Sequence, residues 1–95
     1  MKKKYSVVRC VSAGVFFGVV KKRVGDEVTM TEARRLWYWK GAASLSQLAN
    51  EGVKYPDECK FPPEVNDIVL LGVIEIITAT AVAVKSIKGV PEWKV

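Results

Sequence analysis

The sequence predicts a small α+β domain, an antiparallel β-sheet with two short helices, occupying residues 1–95 as a single domain. Three observations carry this. Runs of β-branched and aromatic residues recur between turn signals at Ser12-Ala13-Gly14 and Arg23-Val24-Gly25-Asp26. The run from Val15 to Lys22 carries apolar residues on both faces, which implies a central strand or a sheet covered on both sides. Two further stretches, after Ser44 and after Thr80, have the start and stop residues of helices.

Tyr5 to Val11 reads as the first strand, with Tyr5, Val7, Arg9 and Val11 on one face and Ser6, Val8 and Cys10 on the other. Val15 to Lys22 returns as the second arm of a hairpin, Phe17 sharing a face with Val15 and Val19 while Phe16 and Val20 point the opposite way. Glu27 to Trp39 is a third extended segment. Thirteen residues exceed an ordinary strand, and the alternation falters at Glu32-Ala33-Arg34, where a bulge or break is expected. Beyond it, Leu36 and Tyr38 face one way and Arg35, Trp37 and Trp39 the other. Ser44 is the N-cap of a short helix with Gln47 completing a capping box, Leu45 and Leu48 or Ala49 facing inward, and Gly52 stopping it. Val53 to Pro63 carries three prolines and reads as an ordered loop pinned by Tyr55, Cys59 and Phe61. Asp67 to Leu71 and Val73 to Ile77 are two strands, or one strand bent at Gly72. Thr78 or Thr80 caps a second helix, Ala81 to Lys88, stopped by Gly89 and Pro91, with Lys85 and Lys88 suiting its dipole. In the extended Val90 to Val95 tail, Trp93 is expected to dock on the sheet.

Composition narrows the function classes. Neither long apolar run, Val11 to Val20 or Ile68 to Ile77, reaches the roughly 20 residues of a spanning helix, so no membrane role is expected and the chain reads as cytoplasmic. There is no histidine, so a zinc site would have to combine carboxylates with the Cys10 and Cys59 thiolates, and no metal or cofactor is expected. The two thiols read as reduced, although spacing alone does not decide pairing. Nucleophilic chemistry needs a nucleophile beside a base, and no motif supplies one; the chain does not read as an enzyme. The net charge of +5 is uneven, with ten Lys/Arg against three Asp/Glu in residues 1–40 and five against seven thereafter. That asymmetry implies one basic face and an anionic partner.

The richest stretch runs from Arg34 to Ser46. The candidate ligand-binding residues are Arg34, Arg35, Trp37, Trp39, Lys40, Gly41, Ser44 and Ser46. Indole faces can stack on a flat group, cations and hydroxyls can hold an anion, and a small-residue helix start offers free N–H groups. The same residues also make a packed strand-to-helix corner, with the indoles as core or interface anchors and Ser44 simply capping. Arg34 and Arg35 are adjacent in a strand, so they face opposite sides and only one can point into the core.

The segment from Ala33 to Ala49 with its Arg35-Leu36-Trp37-Tyr38-Trp39 run, the stretch Ile74 to Thr80, and the closing Val90-Pro91-Glu92-Trp93-Lys94 resemble a family of small phage and prophage proteins known only as a domain of unknown function. The resemblance implies a setting, the cytoplasm of an infected bacterium, and carries no activity onto individual residues. The expected function is a non-catalytic accessory protein that self-associates and binds an anionic ligand, first a nucleotide, including sequestration of a host immune signalling nucleotide. A module that binds and redirects a host protein is the alternative, since Trp, Tyr and Arg are typical interface anchors. Nucleic-acid binding through Lys2, Lys3, Lys4, Arg9, Lys21, Lys22 and Arg23 ranks third.

Overall fold

The computed structural model describes residues 4–94, and within them the expected α+β architecture is present. Strands β1 (Tyr5–Cys10), β2 (Val15–Val24) and β3 (Glu27–Arg35) form an antiparallel meander. Helix α1 (Leu45–Glu51) and a 3-10 turn at Pro56–Glu58 come next, then β4 (Ile68–Leu70), β5 (Val73–Thr78) and helix α2 (Ala81–Lys88). The sheet has five strands in the order β4-β3-β2-β1-β5. Among the described residues no helix is long and apolar enough to cross a membrane. Lys2 and Lys3 of the basic tail lie outside the described residues, as does Val95.

That strand order forces the sheet to curl. In a flat five-stranded sheet the outer strands lie about 19 Å apart at the usual strand spacing. Yet β4 and β5, on opposite edges, are joined by Leu71 and Gly72 alone, a link that spans no more than about 11 Å. The edges must therefore approach each other. Backbone bonds from Val11 N–H to Gly72 O and from Val73 N–H to Asp26 O, both 2.9 Å, tie the bend to the ends of the β1–β2 and β2–β3 hairpins. Gly72 makes the turn at φ 72°, a conformation that suits glycine. The two strands and the bend at Gly72, read as alternatives in the sequence, are both present.

Curling encloses one face and leaves the other to the helices, so there are two cores. Inside the curl lie Val8, Cys10, Phe16, Val28, Met30 and Leu70. On the outer face Val7 and Phe17 pack against Leu48 and Ala49 of α1, Ile87 of α2 and Phe61 of the long loop. The two cysteines are free and sit in different cores, which is why they do not meet.

Both helices begin as the sequence indicates. Ser44 Oγ accepts from Gln47 N–H (3.1 Å), and Gln47 Oε1 accepts from Ala43 N–H (2.8 Å), one residue before the usual capping-box partner. Thr80 Oγ1 accepts from Ala83 N–H (3.1 Å). The break in β3 is a bulge, with the register against β2 slipping between Phe17 and Val19 and Glu32 at φ 51°. A non-glycine residue held there costs about 1–3 kcal/mol, and surrounding contacts hold it. Tyr5 Oη donates to Glu32 Oε1 (2.8 Å), Lys88 Nζ lies 3.7 Å from the same oxygen, and the Tyr5 ring stacks on Phe17 with centroids 5.4 Å apart.

Three expectations need correction. The third strand ends at Arg35, not Trp39; residues 36–39 leave the main ladder, and only Tyr38 is bridged again, to Lys60. Tyr55 is exposed and does not pin the loop, a task that falls to Cys59 and Phe61. Trp93 docks beside that loop and not on the sheet, its backbone N–H donating to Phe61 O (3.0 Å) and Lys60 Nζ lying 5.6 Å from its ring centroid.

Candidate functional site

The bulge at Glu32 sets which face of the sheet each later residue of β3 meets. Arg34 turns to the outer face and is 7% exposed. Its guanidinium donates from Nε to Pro62 O (3.0 Å), from Nη1 to Ile87 O (2.8 Å), and from Nη2 to Phe61 O (3.1 Å) and Val90 O (2.7 Å). Arg34 thus ties β3, the long loop and the end of α2 together, and it caps carbonyls a helix end leaves open. Burial pushes its pKa down, and the carboxylates of Glu92 and Glu64 act against that. With four of its five N–H groups engaged by the chain itself, Arg34 has little left for a ligand.

Arg35 faces the other way. Its guanidinium lies 4.4 Å from the Phe16 ring centroid, and Nη1 donates to Ala13 O (2.7 Å) in the β1–β2 turn. The side chain is half-buried and keeps donors free toward solvent. The turn and the segment after Arg35 run side by side, held by Leu36 N–H donating to Val15 O (2.8 Å). Between them lies a groove of about 280 Å³ whose lining includes Ser12, Gly14, Arg35, Trp37 and Trp39. Trp37 is 64% exposed, whereas Trp39 is half-buried against the outer core. Among the described residues no carboxylate lines this groove.

The remaining candidates are elsewhere. Lys40 Nζ pairs with Glu58 Oε1 (3.1 Å), a contact that raises the lysine's pKa, and its N–H approaches Cys59 Sγ (3.4 Å). Gly41, at φ 97°, lies so close to the backbone of Lys54 that a Cβ would collide with it. Ser44 is occupied as the N-cap, and Ser46 lies exposed on the seven-residue α1. The structure therefore brings Arg35, Trp37 and Trp39 together and separates Arg34, Lys40, Gly41, Ser44 and Ser46 from them.

Two thiols and one mixed-charge cavity complete the inventory of reactive groups among the described residues. Burial raises the pKa of Cys10, opposed by Arg35, and burial also raises that of Cys59, opposed by the hydrogen bond from the Lys40 backbone, and a raised pKa lowers the share of the nucleophilic thiolate. Among the described residues no three His, Cys, Asp or Glu side chains converge on a point where a metal ion could sit. A cavity of about 190 Å³ beside Arg34 is lined by Phe17, Glu64, Lys88, Val90 and Glu92 as well, and mixes charges of both signs.

Ala13, Gly14 and Phe16 belong to the cavities around Arg35, although in the sequence they read only as turn and core. The faltering alternation at Glu32 was the available signal, because it marks where the face of every later residue is reset. A family model described as Domain of unknown function (DUF6948) matches residues 3–87, and the chain belongs to that family. No curated protein and no solved structure matches the chain.

Proposed function

We propose that this member of the family is a non-catalytic binding protein whose groove takes a flat, anionic ligand, a nucleotide. The observation that carries this reading is the shared lining: a guanidinium held in place, an exposed indole and a half-buried one, with no carboxylate among the described residues to repel an anion. An indole gives a stacking face worth about 1–3 kcal/mol per base, and the guanidinium gives a charge-assisted donor. The two buried, unpaired cysteines suit a reducing compartment such as a host cytoplasm. In a phage setting, binding without turnover amounts to sequestration of a host signalling nucleotide. Self-association would cover the outer edge of β5, where Ile74 and Ile76 are exposed.

The test is a panel of nucleotides scored by thermal shift and then by calorimetry on the intact protein and on Trp37→Ala. Binding by at least one nucleotide, weakened in Trp37→Ala and with the nucleotide recovered unchanged, is the expected result. A panel without any binder sinks the reading.

A second reading, binding of a host protein, draws on a different surface. Tyr38 and Trp93 are exposed on either side of Lys60, and aromatic residues beside cations are frequent interface anchors. Capture of a single host protein by the wild type and its loss in Tyr38→Ala, with Trp37→Ala unaffected, would favour it. Nucleic-acid binding ranks last, and a steep fall of affinity with salt is its signature.

A further inference from the structure

We infer that the groove's ligand is two-lobed, a dinucleotide step whose one phosphodiester sits at Arg35 with a base to either side. This rests on the nucleotide reading and narrows it. Arg35 lines two cavities. On one side is the groove of about 280 Å³ with Trp37 and Trp39. On the other is a cavity of about 140 Å³ lined by Phe16, Pro62, Pro63, Val65 and Ile68. The guanidinium touches the lining of each, stacking on Phe16 of the second cavity (4.4 Å) and donating to Ala13 O of the first (2.7 Å). The second lobe is equally well held, because Val65 exchanges both backbone bonds with Ala33 of β3 (2.8 and 2.9 Å).

Charge counting selects the ligand class. Arg35 is the only cationic side chain among the described residues lining either lobe, and no carboxylate of those residues lines them. One guanidinium matches one anionic charge through a bidentate pair, whereas a triphosphate would bring several charges with no further cation to meet them. Flat, uncharged faces on both sides of that charge suit the two lobes, the indoles forming one and proline and aliphatic side chains the other. A mononucleotide would fill one lobe and leave the second wet.

The experiment titrates the protein with dinucleoside monophosphates of the four common bases, the matching nucleoside monophosphates and triphosphates, and a peptide bearing one acidic residue between apolar ones. The best dinucleoside monophosphate should bind about tenfold or more tighter than its mononucleotide, and the triphosphate no tighter than the monophosphate. Val65→Glu, which changes an exposed side chain of the second lobe, should bring the dinucleoside monophosphate down to the mononucleotide's level, with thermal melting confirming that the variant is folded. Equal affinity for mono- and dinucleotides, or a Val65→Glu protein that still prefers the dinucleotide, overturns the two-lobed site while leaving a nucleotide groove intact. A triphosphate that binds tightest overturns the charge count. A peptide that outcompetes every nucleotide assigns the groove to an acidic peptide, and no nucleotide binding at all removes the underlying reading with it.

Discussion

Arg34 and Arg35 are neighbours in sequence and opposites in the structure. Arg34 is buried on the outer face and donates to four carbonyls of its own chain. Arg35 lies half-buried at the edge of the inner core, makes one such bond, and stacks on a ring beside open space. One guanidinium has become part of the scaffold and the other is presented by it. Composition near a candidate site therefore says little until each donor's partner is known, since a planar cation serves packing and recognition equally well.

The contrast is most exposed to refutation at Arg34. Arg34→Met should lower the unfolding free energy by on the order of 3–5 kcal/mol, because buried carbonyls lose a charged partner all at once. Urea denaturation measures it, and a loss below about 1 kcal/mol would mean that the network is decorative. Trp37→Ala tests the other side. Stability should stay within about 0.5 kcal/mol, as for other exposed positions, while affinity for the best nucleotide falls roughly 5- to 100-fold. A large stability loss there would make Trp37 an anchor of the fold.

Ser44→Ala marks the boundary between the two roles. It removes a helix cap, so stability should drop by about 1 kcal/mol in the same urea experiment, with nucleotide affinity unmoved. A drop in affinity instead would return the helix start to the ligand site. The weakest change concerns pH. The hydrogen bond from Lys88 to Tyr5 Oη raises the lysine's pKa above its ordinary 10.5, aided by Glu32 and opposed by desolvation. A pKa raised on folding stabilises the native state fully below the ordinary value and loses that contribution as pH rises through the folded one. The side chain is 45% exposed, so the effect is heavily screened. Thermal melts between neutral pH and pH 11 should show a slightly shallower alkaline decline in Lys88→Met than in the wild type.

Much of the fold could be read from residue patterns because its rules are local. The hairpin strands come from β-branched alternation, the helix starts from Ser44 and Thr80, and the bulge from the failed alternation at Glu32. The curl of the sheet is not local. It depends on β5 finding β1, and nothing between Ile68 and Thr78 states which edge each half will join. The candidate site shows the same divide. Opposite faces for Arg34 and Arg35 are a consequence of strand geometry, yet which arginine is consumed depends on carbonyls of residues 61, 62, 87 and 90, remote in sequence. Tyr55 and Trp93 were misplaced for a related reason, since Phe61 is the ring buried under the loop and Trp93 docks on the backbone of that same distant residue.

The two-residue link between β4 and β5 also bears on how the protein comes to be folded. The β1–β2–β3 meander can zip from its own turns, but β1 keeps an unpaired edge until residues 73–78 arrive. During synthesis most of the chain must emerge before that edge is closed, and long-range pairing of this kind slows folding. The nascent protein therefore carries an exposed apolar strand for much of its emergence. A kinetic survey should find a hairpin that forms early and a slower phase, set by closure at Gly72, in which β1 gains its second neighbour and the inner core becomes dry.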